Sequence, residues 1–146
     1  VQWCEQQGLL VEAVCCLYAT APFVQPADLA EAARLLEQAP PQSFVFTATS
    51  FPFPIQRAIR INADGYSVMF HSEHFNTRSQ DLEEAYHDAG QFYWARTAAW
   101  AASSNLFDDG RPLLLPRWRV QDIDTEEDWI RAELLHQMIC ELLPGK

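Results

Sequence analysis

The chain has 146 residues, 49% of them apolar, which suits one compact domain with a core and excludes a fibrous or disordered class. Its formal charge of -10, with a single lysine among ten basic residues, excludes a general nucleic-acid binder, because a phosphate backbone needs a cationic surface. No apolar run is long enough to span a bilayer and no leader pattern opens the chain, so the expectation is a soluble, cytoplasmic protein without a membrane partner.

Residues 1–8 (VQWCEQQG) read as the last two turns of a helix closed by Gly8 as C-terminal cap. With no initiator methionine, the expectation is the C-terminal part of a longer protein. Residues 9–19 (LLVEAVCCLYA) are nearly all apolar, the pattern of a central strand buried on both faces of a sheet. Pro26 suits the first position of a helix to about Gln38, with Leu29, Ala33 and Leu36 as its apolar stripe. Residues 44–50 (FVFTATS) give a second strand, expected to pair in parallel with the first. Residues 58–61 and 66–70 flank Asn62, Ala63, Asp64 and Gly65, a hairpin with turn chemistry.

Residues 71–87 are polar without a clean period and read as a long functional loop or an excursion to a partner subunit. A strand is expected over 90–96, a short helix over 97–104 and a last strand over 113–120. Thr125 with Asp128 makes a capping box for a helix to about residue 143, its buried face marked by Trp129, Ala132, Leu135, Ile139 and Leu142. The order of elements is that of an α/β domain. Cys4, Cys15, Cys16 and Cys140 form no disulfide framework or metal knuckle and read as buried free thiols.

The segment 117–129 (RWRVQDIDTEEDW) holds the most chemistry. Asp122 and Asp124 stand two residues apart on extended chain, so both carboxylates can face one side, an arrangement suited to a hard cation such as Mg²⁺. The bland alternative is a solvated Asp122 and an Asp124 that favours the positive end of the helix dipole. His71 and His74 lack further ligand spacing and read as exposed loop histidines.

Residues 121–125 (QDIDT) with Asp128 and Trp129 resemble the C-terminal signature of the CMP-sialic acid synthetase (acylneuraminate cytidylyltransferase) family. Three more blocks agree in order: 17–23 (LYATAPF), 76–82 (NTRSQDL) and 88–94 (DAGQFYW). Residues 49–57 (TSFPFPIQR) with 84–94 (EAYHDAGQFYW) are similar to the pseudaminic acid branch of that family. The resemblance implies a three-layer α/β/α nucleotide-diphospho-sugar transferase (Rossmann-like) fold with a mixed sheet, here without its first strands. It implies a homodimer in which residues 58–87 are the dimerisation excursion.

The implied activity is transfer of CMP from CTP to a nonulosonic acid, most closely pseudaminic acid, with release of pyrophosphate. The resemblance assigns Mg²⁺ to Asp122 and Asp124, and the sugar carboxylate to Arg78, whose alternative is a surface pair with Asp81 or Glu83. It places Gln56, Gln91, Phe92, Tyr93 and Tyr18 in the sugar pocket, with Tyr86 and His87 at its border; plain core packing stays open for Phe92. Tyr18 stands where sialic-acid-specific members carry glutamine, which argues against N-acetylneuraminate. The family's glycine-rich basic triphosphate loop has no counterpart in these residues, so the 146-residue chain alone is expected to be inactive. CMP-N-acetylneuraminate, CMP-legionaminate or CMP-Kdo synthesis, and a catalytically silent interaction module, stay open as alternatives.

Overall fold

The computed structural model describes residues 1–102 and 105–142; the side chain of Leu142 also lies outside the description. The chain divides into two compact units, residues 1–49 with 88–146, and residues 50–87.

The first unit is α/β. Helix α1 (Gln2–Gln6) ends at Gly8, whose φ of 77° allows the N–H of Gly8 to reach the Glu5 carbonyl at 2.9 Å and that of Leu9 to reach Cys4 at 2.9 Å. These are the two bonds of a Schellman cap, as expected of that glycine. Strand β1 is Ala13–Leu17, helix α2 Pro26–Gln38 and strand β2 Phe44–Ser50. Strand β5 (Tyr86–Arg96) runs into helix α3 (Thr97–Ala101), strand β6 is Arg111–Leu114, and helix α4 is Glu126–Leu142. The expected end of α3 at Ser103 and Ser104, and of α4 at Leu143, falls outside the described residues.

The sheet order is β1-β5-β2-β6. Strand β1 therefore lies at the outside of the described sheet and is half-buried, antiparallel to β5 from Ala13 opposite Arg96 to Leu17 opposite Phe92. This corrects the expectation of a central β1 in parallel partnership with β2. Strand β5, late in the chain, inserts between them, and an apolar run fixes burial tendency without fixing neighbour order. The parallel partner of β2 is β6, with Val45 opposite Arg111 and Ala48 opposite Leu114. The last strand is shorter than expected: Pro116 has no N–H for a ladder, and residues 117–119 turn into a 3₁₀ helix.

Residues of β2 alternate between two covered faces. Val45 and Phe92 pack with Ala32, Leu35 and Leu36 of α2, all buried. On the opposite face Phe44, Phe46 and Ala48 meet Tyr93, Ala95 and Ala99, with Trp100 and Leu106 against them. The stripe of α2 is thus shifted from that expected: Ala32 and Leu35 are its buried residues together with Leu36, whereas Ala33 and Leu29 are half-buried. Both ends of α2 are tied down. The Arg119 guanidinium pairs with Asp28 in its first turn, and Arg96 donates to the Leu36 and Ala39 carbonyls at 2.9 and 3.2 Å at its last.

The cysteines are free, and Cys16 and Cys140 are exposed where burial was expected. Cys16 ends up facing out because β1 is covered on one face at that position. No helix among the described residues is long and apolar enough to cross a membrane.

The second unit holds the expected hairpin, β3 (Ile59–Ile61) antiparallel to β4 (Ser67–Met69). Its turn is closed by the Asn62 side chain, whose Oδ1 accepts from the N–H groups of Asp64 at 3.1 Å and Tyr66 at 2.8 Å. Residues 71–85 form two 3₁₀ turns and loop, in keeping with their lack of period.

Candidate active site

The end of β1 and the start of β5 bring a cluster of tyrosine and carboxylate side chains together. One residue past the ladder, the Tyr18 N–H donates to the Gln91 carbonyl at 2.9 Å, and the Tyr18 ring tilts against Tyr93 with centroids 5.2 Å apart. The Tyr93 hydroxyl donates to Asp88 Oδ2, while Asp88 Oδ1 accepts the Gly90 N–H at 3.0 Å. Burial first, and then the Asp88 carboxylate, hold the Tyr93 phenol far above its ordinary range, so it stays a donor.

Asp122 reaches the same place from the chain after β6. Its Oδ1 accepts the Ile123 N–H at 3.0 Å, and its Oδ2 lies over Gly90, 3.3 Å from where a Cβ would stand. Asp124 is exposed, in a bend, two residues before α4. The start of that helix organises the segment. Thr125 N–H and hydroxyl donate to Asp128 Oδ2 at 3.0 and 2.7 Å, and the Asp128 N–H donates back to the Thr125 hydroxyl oxygen at 3.2 Å. This is the expected capping box with aspartate in the acidic role.

The Thr125 hydroxyl, ahead of its other partners, holds the Asp128 carboxyl below the usual carboxylate range. The buried Gln121 amide ties the two parts, donating to the Asp122 carbonyl at 2.8 Å and to Asp128 Oδ1 at 3.0 Å. Ile123 lines an apolar cavity of about 180 Å³ with Pro22, Phe23, Trp129 and Ala132.

Of the residues expected in a sugar pocket, Tyr18 and Tyr93 are in contact here. Gln91 is fully buried and gives its amide nitrogen to the Arg119 carbonyl at 2.7 Å, leaving its Oε1 buried without a hydrogen-bond partner. Phe92 belongs to the core against α2, so its ring is packing and not a pocket wall. Strand alternation explains this, since Phe92 must face away from its neighbours Gln91 and Tyr93.

Gln56 and Arg78 lie in the second unit. Gln56 donates to the Glu83 carbonyl at 3.0 Å, and Arg78 makes a two-point pair with Asp81 at 2.7 and 3.2 Å on the surface. His71 is exposed beside Glu73 at 3.3 Å, His74 meets Thr77 at 3.5 Å, Tyr86 donates to Glu84 at 2.8 Å, and the His87 ring tilts against Phe51 with centroids 4.8 Å apart.

The residues that sequence reasoning missed are Asp88 and Gly90. The available signal was a glycine inside a strand, which marks a bulge or a close backbone approach. The approach in this case is that of Asp122.

No protein-family model matches the chain. Over 135 residues, 92% of this chain, it is 40% identical to the pseudaminic acid cytidylyltransferase of Campylobacter jejuni serotype O:23/36. The same identity and coverage hold for the enzyme of that name from serotype O:2. The chain is homologous to the pseudaminic acid cytidylyltransferases. A third relative, from Helicobacter pylori, combines pseudaminic acid cytidylyltransferase with a UDP-2,4-diacetamido-2,4,6-trideoxy-beta-L-altropyranose hydrolase; it is 34% identical over 110 residues, 75% of this chain and 21% of that protein. The chain spans 58% of the length of each Campylobacter relative.

Proposed function

We propose that the protein carrying this chain transfers CMP from CTP to pseudaminic acid. The anomeric hydroxyl gives its proton to water, its oxygen bonds to the α-phosphorus, the bond from that phosphorus to the oxygen bridging to the β-phosphate breaks, and pyrophosphate leaves. The observation that carries this reading is the cluster of Asp122, Asp88, Tyr93 and Tyr18 around Gly90, within a chain 40% identical to enzymes bearing that name.

The donor set fits Mg²⁺. Asp122 and Asp124 offer hard oxygen ligands, and among the described residues no three histidine, cysteine or acidic side chains form a metal-holding group. Two carboxylates with the remaining positions left to water and phosphate oxygens is the usual way Mg²⁺ is held. Bound there, the cation would offset charge on the phosphoryl oxygens.

The chain's own residues do the rest. Arg78 would exchange Asp81 for the sugar carboxylate, since a guanidinium presents a planar fork that suits either. Tyr93, held as a donor, and Tyr18 would border the sugar. The exposed apolar hairpin supports a homodimer as part of the same reading. The reading also holds that the 146 residues alone do not turn over, because they contain no glycine-rich basic loop for a triphosphate.

Pyrophosphate release from CTP by the full-length protein, offered a panel of nonulosonic acids, tests the proposal. Turnover with pseudaminic acid, abolished in Asp122→Ala, is the expected result. Preference for another acid would reassign the sugar, and full activity of Asp122→Ala would remove the metal assignment.

A further inference from the structure

We propose that Gly90 is a positioning residue that sets where the Asp122 carboxylate sits. The inference rests on the reading of Asp122 as a cation ligand. Gly90 has φ of 61°, in the left-handed region that a side chain disfavours, so its place in β5 already calls for glycine. Its surroundings add a second reason. A Cβ at this position would stand 3.3 Å from Asp122 Oδ2, 3.6 Å from its Cγ and 3.8 Å from its Cβ, so the whole carboxylate end of Asp122 rests on the bare Cα.

Asp122 has little room to give way. Its other oxygen is engaged by the Ile123 N–H, and its carbonyl is held by the buried Gln121 amide. Gly90 is braced as well, by its N–H on Asp88 Oδ1, with Asp88 in turn holding the Tyr93 hydroxyl. A methyl group on Gly90 therefore pushes the Asp122 oxygen by a few tenths of an ångström. The left-handed backbone at Gly90 is where two carboxylates converge, Asp88 from two residues before it and Asp122 from a distant part of the chain. Displacing a group that orients a metal ligand weakens the metal by roughly ten- to a hundredfold.

The test is Mn²⁺ binding to the full-length protein, followed by the loss of the free-ion electron paramagnetic resonance signal, with no substrate present. Gly90→Ala should weaken Mn²⁺ at least about tenfold. Gly90→Asn keeps the added Cβ but tolerates the left-handed backbone, so it decides the matter if Gly90→Ala does not fold. Gly65→Ala is the control for backbone strain alone, because Gly65 also has positive φ, 85°, with nothing near its Cβ position; it should bind Mn²⁺ as the parent does.

A folded Gly90 variant that binds Mn²⁺ at parental strength overturns the inference, as does equal weakening in Gly65→Ala. If Asp122→Ala leaves Mn²⁺ binding unchanged, the cation reading of Asp122 falls and this inference falls with it. If Asp122→Ala loses the ion while both Gly90 variants keep it, the cation reading stands and the role of Gly90 is refuted.

Discussion

Phe92 and Tyr93 are adjacent on β5 and serve opposite purposes. Phe92 is fully buried against Ala32, Leu35 and Leu36, so Phe92→Ala should lower the unfolding free energy by about 3–5 kcal/mol in denaturant titration. A pocket-wall role would instead leave stability near the parent and raise the KM for the sugar. Tyr93 faces the carboxylate cluster. Because burial and Asp88 hold its phenol far up, ultraviolet titration of the folded protein should leave at least one of the four tyrosines unionised at a pH where a free phenol is charged. Ionisation of all four while the protein stays folded would contradict that placement. Such alternation was legible as a period of two, but which parity faced the helix was not.

Two elements are fixed by ion pairs and caps that differ in how much they contribute. The pair between Asp28 and Arg119 is mostly buried, and Arg119 also supplies the carbonyl that holds Gln91. Removing the acid in Asp28→Ala leaves a buried guanidinium unpaired and should cost about 3–5 kcal/mol of stability, whereas replacing both partners with apolar residues should cost much less. An equal loss in single and double variants would argue against burial as the cause.

At the start of α4, Thr125→Ala should cost about 1 kcal/mol, seen as a lower midpoint in thermal unfolding. The Asp128 carboxyl is held below its ordinary range in the folded chain, so its contribution is present above that range and fades as pH falls through the lowered value. The midpoint difference between parent and Asp128→Asn should therefore shrink on acidification. Cys15 moves the other way: burial first and Cys16 second push its thiol up to about 11. It should be the slowest of the four cysteines to alkylate at pH 8, with exposed Cys16 and Cys140 faster.

At the scale of the whole molecule, the two units differ in surface. Ile59 and Ile61 are exposed on one face of the hairpin and Tyr66, Val68 and Phe70 on the other, and exposed apolar side chains in such number suit an association site. If the proposed homodimer is built on the hairpin, Ile59→Lys with Ile61→Lys should convert the protein to a monomer in sedimentation velocity; an unchanged dimer would place the interface elsewhere.

By itself the sequence determined the α/β class, the turn at Asn62 to Gly65, the Gly8 cap, the Thr125 and Asp128 box, and the ordered blocks that mark its relatives. Each of these is set by residues within a few positions of one another, where local backbone and hydrogen-bond chemistry decides the outcome. Only the tertiary structure decided that β5 separates β1 from β2, that Phe92 is core, and that Asp88 and Asp122 meet at Gly90. Those depend on which distant segments pair. An apolar run is equally content at the middle or the outside of a sheet, and a glycine declares a close approach without naming what approaches.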